Sequence, residues 1–123
     1  MKSAFLSLLI AFATVAAPAA DIPSIVGNWQ VHITVGSYDN TVTCTFVQNA
    51  QTLSGKCDTD GGPADITGKV SATAITWSYK TNYQGTPITA VYDGTVGSGQ
   101  KISGTINVPE LTADGTFTAT QSK

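Results

Sequence analysis

From Gly27 to its end the sequence is an unbroken succession of short segments. In each, apolar residues alternate with hydroxyl, amide or charged ones, and each closes on a cluster of Gly, Asn, Asp or Ser. A period of two puts successive side chains on opposite faces of a strand, and the residues between the segments are those that reverse a chain. Eight segments read this way: 28–35, 40–48, 52–58, 64–71, 74–81, 86–96, 101–108 and 115–121. Threonine and other β-branched residues fill them, and none shows the apolar spacing of a helix. The links are short, so neighbouring strands pair antiparallel, up and down. A meander of this kind hides its edges only by closing into a barrel or by pairing as a sandwich.

The same alternation sorts the faces. Trp29, Val31, Ile33 and Val35 share one side of the first strand, Val42, Cys44 and Phe46 one side of the second, and Trp77 and Tyr79 one side of the fifth. Tyr92 and Phe117 belong to the same set, which forms the interior; its alternates are mostly Thr, Ser, Lys, Gln, Asn and Asp, as expected of a face in water. Gly55, Gly68, Gly94 and Gly104 fall on the inward side of four different strands, where glycine marks a sharp bend or a bulge.

Residues 1–20 are of another kind: Lys2, then an apolar run from Ala4 to Ala13, then small residues ending in Ala17-Pro18-Ala19. This is the pattern of a secretory signal peptide, with cleavage expected at Ala19 or Ala20. The run is well short of the roughly 20 residues that span a bilayer, so no membrane span is expected in the mature protein. Residues 21–123 are then one exported domain, secreted or periplasmic. They carry five lysines and no arginine against eight acids, a net charge of −3. A surface without clustered cations is a poor match for nucleic acid or for anionic membranes.

Cys44 and Cys57 are the two cysteines, and an oxidising compartment converts such a pair to a disulfide. If 42–48 and 53–58 form a hairpin turning at Asn49-Ala50-Gln51-Thr52, the register that pairs Phe46 with Gly55 also sets Cys44 opposite Cys57. Directly opposed residues on adjacent strands are close enough to bridge.

Gly27-Asn28-Trp29 at the start of the first strand resembles the G-x-W signature of lipocalins and the wider calycin group. The segments that follow, among them Ile66-Thr67-Gly68-Lys69-Val70, Tyr92-Asp93-Gly94-Thr95-Val96 and Gly115-Thr116-Phe117-Thr118-Ala119, are similar to small lipocalin-like β-barrels of secreted bacterial proteins. The resemblance implies an all-β fold, a single eight-stranded antiparallel up-and-down barrel, with Trp29 packed at its closed end. The chain is much shorter than true lipocalins and lacks their C-terminal helix, so a retinoid-sized cavity does not follow.

For function, the inward aromatics matter most. Trp77, Tyr79 and Tyr92 lie on adjacent strands, with Phe46 and Phe117 inward elsewhere. Such a wall suits a small hydrophobic or aromatic ligand, the rings supplying area and the phenols orientation; it equally suits a filled core serving a structural or interaction domain. Tyr38 and Tyr83 fall in loops that would rim the mouth if they share an end. The second expectation, ahead of the structural one, is a cofactor-free isomerase or cyclase using Tyr79 or Tyr92 as proton donor and His32 or an inward carboxylate as base. Parity points His32, Asp65 and Asp93 outward. Asp58-Thr59-Asp60-Gly61-Gly62 lacks the distal Glu of a calcium loop and reads as a solvated turn, so no metal site and no cofactor are implied.

Overall fold

The computed structural model of the protein describes residues 22–98 and 100–122. The expected leader, 1–20, lies outside them. The strands are β1 (Gly27–Val35), β2 (Tyr38–Asn49), β3 (Thr52–Thr59), β4 (Gly62–Asp65), β5 (Thr67–Ser71), β6 (Ala74–Tyr83), β7 (Thr86–Gly97), β8 (Lys101–Val108) and β9 (Ala113–Gln121), with one short 3-10 turn at Pro109–Leu111. β4 and β5 are two parts of one stave. Both pair with β3 in a single register, Lys56 facing Asp65 and Leu53 facing Gly68, and the Ile66 N–H between them donates to the Gly55 carbonyl at 2.9 Å. Eight antiparallel staves therefore form the sheet, each paired with its neighbours in sequence, and pairing of the last strand, β9, with the first, β1, closes it into a barrel. No helix among the described residues is long and apolar enough to cross a membrane.

The interior follows from the chain's alternation. The inward positions read from the sequence are buried or half-buried, and their alternates lie on the outside. Each ladder keeps one register from end to end, so the strand glycines mark no bulge. They mark close approach instead. A Cβ on Gly55, whose φ is +123°, would sit 1.9 Å from the Thr45 carbonyl oxygen, and one on Gly104 would sit 2.0 Å from that of Asp93. Neighbouring backbones come together there because no side chain holds them apart, which lets a small barrel curve without an inserted residue.

The β2–β3 hairpin turns at Ala50 and Gln51, between the paired residues Asn49 and Thr52, and its register sets Cys44 against Cys57. The two form a disulfide with Cα atoms 4.0 Å apart, both fully buried. Tight turns of this kind need positive φ, and two are made with alanine: Ala50 at +54° and Ala72 at +50°. An L-residue in that region costs about 1 kcal/mol. Ala72 is exposed, so Ala72→Gly removes strain without removing contacts and is expected to stabilise by roughly 0.5 kcal/mol. A lower midpoint in urea for the variant would contradict this.

One end of the barrel is plugged by the segment before β1. Ile25 is buried, and its carbonyl accepts the Trp29 indole N–H at 2.8 Å. Gln48 ties the segment down: its Oε1 accepts the Ile25 N–H at 2.9 Å and its Nε2 donates to the Pro23 carbonyl at 3.1 Å. Trp29 is thus placed at the closed end.

Candidate functional site

In an up-and-down barrel alternate turns share an end. The β1–β2, β3–β4 and β6–β7 turns and the 3-10 turn after β8 all lie opposite the plug. Between them a cavity of about 250 Å³ enters the barrel. Its walls are Ile33, Val42, Ile88, Ala90, Ile106 and Val108; Tyr38, Asp60, Tyr83 and Leu111 stand at its rim, and Tyr79 lines its inner end. These walls are aliphatic and several are small, which leaves the space unfilled.

Below Tyr79 the interior is solid. The Trp77 and Tyr92 rings stack at 4.5 Å and 10°, and Phe46 and Phe117 meet Trp77 edge-on at 5.2 and 5.1 Å. Of the five aromatic positions expected to hold a ligand, only Tyr79 lines the cavity. Trp77, Tyr92, Phe46 and Phe117 are buried against one another beneath it. The Trp77 indole N–H finds no acceptor among the described residues.

The Tyr79 and Tyr92 hydroxyls are bonded to each other at 2.6 Å. Burial pushes the Tyr79 phenol up to about 12, against which its bond to Tyr92 works, and burial with the neighbouring Tyr79 raises Tyr92 as well. Removing one hydroxyl strands the other in an apolar layer. Tyr79→Phe or Tyr92→Phe alone is expected to cost about 1–3 kcal/mol, and the double variant less than the sum of the two. Additive losses in a double-mutant cycle would show that the pair is not coupled. Both phenols are raised, so their contribution is complete below pH 10, the ordinary tyrosine value, and is lost as pH climbs toward about 12, where unfolded chains ionise first. Denaturation midpoints should fall over that interval, less steeply in the double Phe variant.

The rim is polar and acidic. Asp60 Oδ2 accepts from the Tyr38 hydroxyl at 3.3 Å and from Asn40 Nδ2 at 3.0 Å. Tyr38 and Tyr83, expected in loops, instead end strands β2 and β6, and their rings meet edge-on at 5.6 Å. The Glu110 carboxylate accepts from the Thr89 N–H at 2.9 Å and from its hydroxyl at 2.7 Å, fixing the 3-10 turn that carries Leu111. Those two bonds hold the Glu110 carboxyl below its usual range.

His32 sits on the outer face, half-exposed, with Nε2 2.6 Å from Asp39 Oδ1. Asp65 and Asp93 also lie outside. The expected proton donors and base are therefore not assembled around one point: Tyr79 borders the cavity, Tyr92 lies under it and His32 is beyond the wall. Asp60 belongs to the candidate site although its sequence context, Asp58-Thr59-Asp60-Gly61-Gly62, is that of a turn. Turn parity would have found it, since the third reversal of a meander shares an end with the first, which carries Tyr38. No group of three or more potential metal-ligating side chains occurs among the described residues.

The sequence matches no model of a known protein family, and no curated protein matches it. The likeness to lipocalins stands on architecture, a closed eight-stranded antiparallel barrel.

Proposed function

We propose that the protein is a lipocalin-like binding barrel, exported to an oxidising compartment, that holds a small apolar molecule in its open half. The observation that carries this reading is the division of the interior. One half is filled by packed aromatics, whereas the other keeps about 250 Å³ behind an open rim. A chain that needed only a core gains nothing from such a space, because unfilled apolar volume destabilises. An engineered cavity of about 150 Å³ accepts benzene, so this one suits a body of one or two rings. Tyr79 is a polar group at the inner end of the cavity that can orient it. The buried Cys44–Cys57 disulfide supports a location outside the reducing cytoplasm.

The test is calorimetric titration with 2-naphthylmethanol, a neutral two-ring probe, against the wild type and Ala90→Met. Ala90 is buried in the cavity wall opposite Tyr79 in the β6–β7 ladder. A longer side chain there fills the space. Binding to the wild type that is lost in Ala90→Met, with the melting temperature unchanged or raised, is the expected result. Absence of binding to the wild type, or equal binding to both, would overturn the reading.

A further inference from the structure

The cavity's charge is as informative as its volume. Its lining contains no Lys, Arg or His and one carboxylate, Asp60, placed at the rim. Asp60 belongs to neither of the two ion pairs found among the described residues, His32–Asp39 and Lys56–Asp65. Its recorded partners, Tyr38 and Asn40, are neutral donors, and both bonds fall on Oδ2. No hydrogen bond to Oδ1 is found among the described residues, and a carboxylate accepts at both oxygens, so Oδ1 is left for a donor at the mouth. The Tyr38 and Tyr83 rings stand beside it, 5.6 Å apart. Phenol faces attract a cation and give nothing comparable to an anion.

We propose that the site selects an organic cation: a one- or two-ring apolar body carrying a protonated amine. The body lies against Val42, Ala90 and Tyr79, and the ammonium is held at the rim by Asp60 with Tyr38 and Tyr83. This rests on the binding reading above and adds the sign of the ligand's charge to it. The preference is electrostatic. Carboxylic acids of the same shape meet an unneutralised carboxylate, whereas the amine gains a partner that is already oriented by two hydrogen bonds. Asp60 is exposed to solvent, so water and salt weaken the attraction, and the selectivity expected is about fivefold to tenfold in affinity rather than all-or-none.

Three probes that share one ring system isolate the charge: 2-naphthylmethylamine, 2-naphthylmethanol and 2-naphthoate, titrated at neutral pH, where the amine is protonated and the acid ionised. The expected order is amine, then alcohol, then carboxylate. Asp60→Asn should abolish the amine's advantage over the alcohol, and rising salt should shrink that advantage in the wild type alone. The melting temperature of Asp60→Asn reports whether the rim still folds, and Asp58→Asn, whose carboxylate lies outside the cavity lining, controls for net charge. Equal affinities for amine and alcohol, or an amine preference that survives Asp60→Asn, would overturn the cation proposal while the binding reading stands. Failure of all three probes would overturn both.

Discussion

Trp77→Ala is expected to lower the stability of the fold by about 3–5 kcal/mol, the usual cost of emptying a large aromatic site in a core. Trp77 is 1% exposed and touches three other aromatic rings, stacked on Tyr92 and edge-on to Phe46 and Phe117. Truncating it opens a hole that these neighbours cannot close, because each is fixed from a different strand. Domains of this size have only about 5–15 kcal/mol in total, so the variant should melt far below the wild type. Trp77→Phe keeps an aromatic ring on Tyr92 and should lose much less, and because Trp77 is not part of the cavity lining it should still bind 2-naphthylmethanol. A loss below about 1 kcal/mol in urea denaturation of Trp77→Ala would show that the aromatic layer is loosely packed.

Replacing both cysteines, Cys44→Ala with Cys57→Ala, is expected to cost about 3 kcal/mol, since the crosslink closes a short loop and restricts the unfolded chain. For a domain of roughly 100 residues each kilocalorie lowers the melting temperature by about 4–8 °C, so the midpoint should fall by roughly 10–25 °C. The strands should persist at room temperature, because β2 and β3 remain paired from Thr43–Asp58 to Asn49–Thr52 without the bond. Binding of 2-naphthylmethanol should also persist, as neither cysteine lines the cavity. Circular dichroism on heating measures the first effect. A shift of only a few degrees would mean that the two-residue turn already holds the hairpin closed in the unfolded ensemble.

Much of this was legible beforehand, and the reason differs from residue to residue. The facing of Cys44 and Cys57 needed only a two-residue turn and a ladder of constant register, both local to 15 residues or so. The inward set needed only the period of two. The burial of Ile25 is not legible, because it precedes the first strand and follows no alternation; its burial comes from Gln48, more than 20 residues away, and from Trp29, whose indole N–H its carbonyl accepts. The sequence around Asp60 shows only a turn, since its chemistry depends on Tyr38 and Asn40, which another strand supplies.

Strand order, the facing of each side chain, the disulfide and the barrel's turns were determined by the sequence itself, because each follows from a local period or a short reversal. Which half of the barrel would be full and which open was decided by the tertiary structure alone. Alternation says that Trp77 and Ala90 both point inward, but not what meets them from across the lumen. Trp77 meets Phe46 and Phe117 from strands β2 and β9, whereas the space beside Ala90 is bounded, apart from its ladder partner Tyr79, mainly by aliphatic side chains too small to fill it. Filling is a sum of volumes over eight staves at one height. That height is set by the whole chain of pairings that closes the ring, β1 on β9 among them.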